Sequence, residues 1–194
     1  MTNKAELRKA MRKRRSELTR WEVEMLSKSA QMHILAEKVW RKARAVAIYV
    51  AVRHETGTAL LAENAWSEGK ELFVPYTPPS SDRDMYLLPC ADVTALVPNH
   101  FGIPEPTPET CPLSPELDDA PQVIIVPGIV FDRKGHRIGG GAGYYDRFLA
   151  RPSMKGALRI GFCYSFQVVN EPLPTDDWDI PMHALATEEG VTWL

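Results

Sequence analysis

Residues 137–151, RIGGGAGYYDRFLAR, put four of the chain's twelve glycines into five positions and follow them with two tyrosines and an acid. Glycine tolerates positive φ and lets backbone approach a ligand closely, so consecutive N–H groups can converge on one concave, anion-binding patch. Such a patch suits phosphate. Gly139, Gly141 and Gly143 nevertheless follow a G-x-G-x-G spacing rather than G-x-G-x-x-G, and no G-x-x-x-x-G-K-[ST] occurs. On spacing alone, a flexible loop or tight turn is an equal reading. Asp146 would repel bound phosphates unless a divalent cation lay between them. Magnesium takes hard oxygen ligands, usually one or two carboxylates plus phosphates and water. The alternative role is an acid in a first helical turn, stabilising the helix dipole by about 0.3–1 kcal/mol; the two roles are compatible.

A second group of charges lies near the N-terminus. Lys4, Arg8 and Arg12 fall at i, i+4 and i+8 with Arg15 close by, which makes one cationic stripe on a helix. It is either a solvated face or a face for phosphate or RNA.

The elements that must position these residues follow from periodicity. Asn3 with Glu6 and Thr19 with Glu22 are capping-box signatures that open two N-terminal helices, the second carried by Trp21, Met25, Met32, Leu35 and Val39. The period then changes. Strands are expected at 45–52, 71–75, 85–88, 123–126, 158–164 and 184–187, and helices at 58–69 and at 143–151, the latter opened by the glycines. Residues 97–122 hold seven prolines and read as a long surface excursion. The alternation predicts an α/β fold: a single layered domain over residues 1–194 with a mostly parallel central sheet flanked by helices and an N-terminal helical pair. Ligands of such sheets sit beyond the C-terminal strand ends, and the glycine loop follows the end of strand 123–126.

Composition narrows the function classes. The 194 residues are 44% hydrophobic and 25% charged, with a net charge of −2, ordinary for one globular domain and unlike a dedicated nucleic-acid binder. No apolar run approaches the roughly 20 residues that span a bilayer, and the charged N-terminus lacks an apolar signal core, so no membrane partner and a cytoplasmic location are expected. Cys90, Cys111 and Cys163 have neither disulfide-framework nor zinc-site spacing.

Taken together, KAELR at 4–8, HET at 54–56, FGIPEP at 101–106, VPGIVFDRKGHRIGGGAGYYDRFL at 126–149 and WDIP at 178–181 resemble, in order and spacing, the 5-formyltetrahydrofolate cyclo-ligase family, also called methenyltetrahydrofolate synthetase. The resemblance spans nearly the whole chain. It implies an enzyme that uses Mg-ATP to convert 5-formyltetrahydrofolate into 5,10-methenyltetrahydrofolate, with small molecules as partners and a monomer as the expected state. By the same resemblance, Lys4 and Arg8 would hold nucleotide phosphates, and Arg137, Ile138, Gly139, Gly140, Gly141, Ala142, Gly143, Tyr144 and Tyr145 would wrap ATP. Folate would meet Val50, Glu55 and residues Gly140 to Tyr144. Asp146 and Asp179 would ligate magnesium, and Arg137, Tyr144 and Asp146 would carry the catalysis. A carboxylate at Glu55 suits the two neighbouring N–H donors of a pterin. Outside the resemblance, Glu55 has a second reading as a helix-opening acid, Val50 as core and Asp179 as part of a solvated, turn-rich loop. Met85 and Phe101 are further apolar walls to consider.

Three positions depart from the family pattern. The family commonly carries a bulky or basic residue at Gly140, glycine or lysine at Ala142, and histidine at Trp178. These departures leave open a relative that binds folate or nucleotide with little turnover. A more remote alternative is an RNA-associated module using the basic helix.

Overall fold

The computed structural model describes residues 3–79, 84–107 and 120–194. Both N-terminal capping boxes form: Asn3 Oδ1 accepts from the amides of Ala5 and Glu6 at the start of α1 (Lys4–Ser16), and Thr19 Oγ1 accepts from Glu22 N at the start of α2 (Arg20–Ala36). A short α3 (Lys38–Lys42) follows. The chain then alternates β1 (Ala45–Ala47), α4 (Ala59–Ser67), β2 (Glu71–Tyr76), β3 (Tyr86–Pro89), the pair β4 (Val97–Pro98) and β5 (Pro104–Glu105), β6 (Val123–Pro127), β7 (Val130–Asp132), β8 (Arg137–Ile138), α5 (Tyr144–Leu149), β9 (Leu158–Phe162), β10 (Val168–Val169), β11 (Ala184–Thr187) and β12 (Gly190–Trp193).

The main sheet runs β12-β11-β9-β6-β1-β2-β3. Its inner pairings are parallel and its two edges, β12 and β3, are antiparallel. This is the α/β fold with the mostly parallel sheet expected. Inner strands such as VIIV at 123–126 are buried along their whole length because helices or loops cover both faces. Trp40, Ile34 and Leu61 fill one side, and Phe131, Phe148 and Met154 the other. Among the described residues no helix is long and apolar enough to cross a membrane. Cys90 and Cys163 are free and buried, whereas Cys111 lies outside the described residues.

Several expectations need correction. β1 ends at Ala47 rather than residue 52, because the chain must leave the sheet to build the loop that carries Glu55. The buried face of α2 is Ser27, Ala30, Gln31 and Ile34, while Trp21, Met25 and Met32 are exposed. Polar residues won that face because they bond the neighbouring segment: Gln31 Oε1 accepts from Leu60 N and Leu61 N, and Ser27 Oγ accepts from Gly57 N. The 97–122 stretch is not all surface, since Glu105 is buried; residues 108–119 of it lie outside the described residues.

The glycine loop does not leave β6 directly either. A small sheet, β10-β7-β8, intervenes, and the loop follows β8. Buried Asp132 organises this insert by accepting from Lys134 N, His136 N and Nδ1, and Leu173 N. Burial opposes its charge, but these bonds outweigh burial and hold the carboxyl below its usual range. Asp132→Ala is therefore expected to cost about 2–3 kcal/mol in chemical denaturation. The contribution is complete above the ordinary aspartate range and is lost as pH falls through the lowered folded value. An equal loss at all pH values would contradict this account.

Candidate functional site

α1 is amphipathic in an unusual way. Leu7 and Met11 pack against Ile129, Val130, Ile138 and Leu173 on the small sheet. That contact fixes the helix rotation and turns Lys4, Arg8, Arg12 and Arg15 toward a cavity of about 850 Å³. The cationic stripe is thus one wall of a pocket. The opposite walls are the glycine loop and the residues beyond β1 and β2.

Cations grip the loop. Arg8 Nε donates to Gly139 O at 2.9 Å and Arg12 Nη2 to Gly140 O at 3.2 Å. A Cβ at Gly139 would lie 2.5 Å from Arg137 Nη1, so a larger residue there would displace the Arg137 guanidinium. Gly143 takes φ 71° as the N-cap of α5, a left-handed conformation that glycine adopts without strain. Ala142 is not among the residues with positive φ and carries no such strain. Gly140 faces open space, so the absent side chain leaves the cavity wider. The helix the loop opens has only six residues, shorter than the expected 143–151, and the charge available to an anion here comes from guanidiniums rather than from a long helix dipole.

Arg137 is the buried centre of the site. Its side chain is 4% exposed, and Nη2 donates to Asp146 Oδ1 at 2.8 Å. Nη1 reaches Pro127 O at 3.4 Å, Nε has no partner among the described residues, and the guanidinium lies 5.6 Å from the Tyr145 ring centroid. Asp146 thus balances a buried cation, a role beyond those the sequence suggested.

Lys4 and Asp179 also meet. Lys4 Nζ donates to Asp176 Oδ2 at 2.6 Å and Asp179 Oδ2 at 2.8 Å. Burial disfavours the Lys4 charge, but the two carboxylates outweigh it and raise its pKa. Asp179 is held low: burial opposes its charge, and the bonds from Lys4 and Asp176 N prevail. Among the described residues no three His, Cys, Asp or Glu side chains form a complete metal cage. Trp178 lines the cavity beside these acids and is 68% exposed.

At the other end stands Glu55. Its loop is pinned by Tyr49, whose hydroxyl donates to Thr56 O at 2.6 Å, by Thr58, whose Oγ1 donates to Tyr49 O at 2.7 Å, and by Tyr164, whose hydroxyl donates to Glu55 O at 3.2 Å. Arg53 and His54 take φ of 52° and 59°, rare for non-glycine residues and sustained here by these bonds. Burial raises the Glu55 carboxyl pKa, partly offset by Arg15, by the amide of Val52 and by Arg53. Val50 lines the cavity and also packs on the core. Ile138, Tyr144, Met85 and Phe101 line the same space, and the Phe101 ring meets Tyr144 edge-on at 6.3 Å.

Every residue the sequence suggested for a site therefore borders one cavity. A model of the 5-formyltetrahydrofolate cyclo-ligase family matches residues 1–188. The chain belongs to the 5-formyltetrahydrofolate cyclo-ligase family. This is a family of ligase-type enzymes. Cyclo-ligases of that name from Haemophilus influenzae and Escherichia coli K12 are each 32% identical to it. The first alignment covers 91% of this chain and 93% of the relative, the second 93% and 98%. The 5,10-methenyltetrahydrofolate synthetase structure of Aquifex aeolicus is 35% identical, with a TM-score of 0.78 over 98% of this chain and 92% of that one. A synthetase from Mycoplasma pneumoniae, at 20% identity and TM-score 0.72, shares the fold.

Sequence reasoning missed three residues that line this cavity. Asp176 was legible only as one acid among several in TDDWDIP. Arg15 was noted beside the stripe without a role. Glu105 sits between prolines in an apparent loop, yet its carboxylate accepts from Thr77 N, Thr77 Oγ1 and Asn99 Nδ2 and ties the β4–β5 pair to the end of β2. Only the flanking prolines of IPEP hinted at a fixed position.

Proposed function

We propose that the protein uses Mg-ATP to convert 5-formyltetrahydrofolate into 5,10-methenyltetrahydrofolate, releasing ADP and phosphate. The carrying observation is that one cavity is walled at once by the cationic helix, the glycine loop and Glu55. A nucleotide and a folate must share one space for a group to pass between them.

The chemistry explains why both are needed. A formamide carbon is a poor electrophile because its nitrogen donates into the carbonyl, and ring closure by N10 would have to expel hydroxide. Transfer of the γ-phosphoryl group to the formyl oxygen makes that oxygen a leaving group. N10 then attacks the formyl carbon and gives up its proton to solvent, the C–O bond breaks with loss of phosphate, and the N5–C–N10 amidinium remains. In this reading Arg8 and Arg137 hold phosphate charge, with Lys4 beside them. Residues Gly139–Tyr145 wrap the nucleotide. Tyr144 and Val50 line the folate path, and Glu55 accepts from the pterin. Positioning and charge stabilisation do most of the work in phosphoryl transfer.

The donor set fits magnesium. Asp176 and Asp179 already bring two carboxylate oxygens to one cation, the Lys4 ammonium, and hard oxygen ligands completed by phosphate are what this ion takes. Asp146 and Asp179 would hold it, directly or through water, with phosphate oxygens completing the set. Bound there, it would neutralise charge on the transferring phosphoryl group.

The test is spectroscopic, because the conjugated amidinium absorbs at longer wavelength than the formyl substrate. Colour should form only with ATP and magnesium present. Arg8→Ala should then raise the apparent KM for ATP about tenfold or more and that for folate far less, since charge-assisted bonds contribute about 1.5–3 kcal/mol. Binding of both ligands without colour would favour a non-catalytic relative, for which the exposed Trp178 and the open space at Gly140 would then account.

A further inference from the structure

We propose that Arg15 acts with Glu55 as a two-residue reader of the pterin edge, Arg15 donating to the C4 carbonyl while Glu55 accepts from N3–H and the 2-amino group. The proposal rests on the folate reading above and goes beyond it by assigning the carbonyl a partner.

Arg15 lies in the last turn of α1, is only 7% exposed, and lines the cavity. Its Nη1 is 3.8 Å from Glu55 Oε1, too far for a hydrogen bond. Among the described residues its guanidinium makes no hydrogen bond at all. A guanidinium carries five donors, and withdrawing it from water is costly unless those donors find acceptors. Glu55 offsets the charge but leaves the donors open to the cavity. An acceptor on the ligand, placed next to the groups that bond Glu55, supplies what the protein omits.

The pterin edge has that order: an amino group, a ring N–H and a carbonyl oxygen in a row. Glu55 can take the two donors and Arg15 the acceptor. The two side chains are also held in register, because Arg15 O faces His54 Nδ1 at 3.4 Å, linking the end of α1 to the loop that carries Glu55. A phosphate role fits Arg15 less well. It lies seven residues beyond Arg8, about 10 Å along the helix at 1.5 Å per residue. α1 therefore spans the cavity from the glycine loop to Glu55, and its last arginine stands at the folate end.

The experiment is calorimetric titration of the wild-type chain, Arg15→Gln and Arg15→Lys. The ligands are 5-formyltetrahydrofolate, its 4-amino-4-deoxy analogue and a non-hydrolysable ATP analogue, with melting temperatures recorded alongside. A 4-amino group replaces the carbonyl acceptor by a donor. Arg15→Gln should weaken the 4-oxo ligand about ten- to hundredfold, leave the 4-amino ligand within about threefold, and leave the nucleotide unchanged. Arg15→Lys should fall between wild type and Arg15→Gln, and it carries the test if the Gln variant does not fold. Equal weakening of both folates, a loss confined to the nucleotide, or no change in either variant would overturn the assignment of Arg15 while leaving the function intact. Failure of the wild-type chain to bind any folate would overturn both.

Discussion

Asp146→Asn is expected to destabilise the protein by about 3 kcal/mol and to remove most of its activity. The stability loss follows from Arg137, whose 4%-exposed side chain relies on Asp146 Oδ1 at 2.8 Å as its one ionic partner among the described residues. Asparagine keeps an acceptor of the same shape but leaves the buried guanidinium uncompensated, and breaking one partner of a buried pair commonly costs about 3–5 kcal/mol. Residual access to the cavity favours the lower end. A dipole-compensating acid alone would be worth at most about 1 kcal/mol, so the size of the effect separates the two. The loss of activity follows from the proposed metal role, and excess magnesium should recover part of it by mass action. Melting curves and rates against magnesium concentration, taken well below the melting temperature, check both parts. A less stable variant with full activity and unchanged magnesium dependence would leave the ion pair standing and sink the metal role. A variant as stable as wild type would contradict the ion pair.

Glu55→Gln is expected to weaken folate binding about a hundredfold and to leave nucleotide binding near normal. Glutamine turns an amide N–H₂ toward a pterin edge that offers donors, so one charge-assisted bond is lost and one donor faces another, together about 3 kcal/mol. The loop is pinned through Tyr49, Thr58 and Tyr164 and cannot readily turn the side chain away. Acidity gives a second reading. Burial raises the Glu55 carboxyl pKa, and the folate requires the ionised form. Wild-type affinity should therefore hold above that raised value and fall as pH drops through it, beginning at higher pH than an ordinary glutamate would allow. The Gln variant should lack this step. Calorimetry at several pH values decides the matter: a variant that loses nucleotide rather than folate affinity would mean the folate end of the cavity has been misassigned.

The parts legible in the sequence were those fixed by local physics. Capping boxes at Asn3 and Thr19 mark helix starts because side chain and amide are neighbours in the chain. The apolar run at 123–126 marks a buried inner strand because nothing polar survives between two covered faces. The glycines at 139–143 mark close backbone approach, and the motif set carries the family resemblance over nearly the whole length. Tertiary structure decided what depends on distant residues meeting. It paired Lys4 with Asp176 and Asp179, contacts that link the N-terminus to a loop more than 170 residues away, and it closed Arg137 on Asp146 across the glycine loop. It placed Trp21, Met25 and Met32 in solvent because Ser27 bonds Gly57 ahead of α4 and Gln31 bonds the first turn of α4, an exchange no hydrophobic period encodes. It buried Glu105 and turned Arg15 to the cavity, since the Leu7–Met11 contact with the small sheet sets the rotation of α1. Periodicity along a helix shows which residues share a face; which face meets a ligand depends on what the opposite face is packed against.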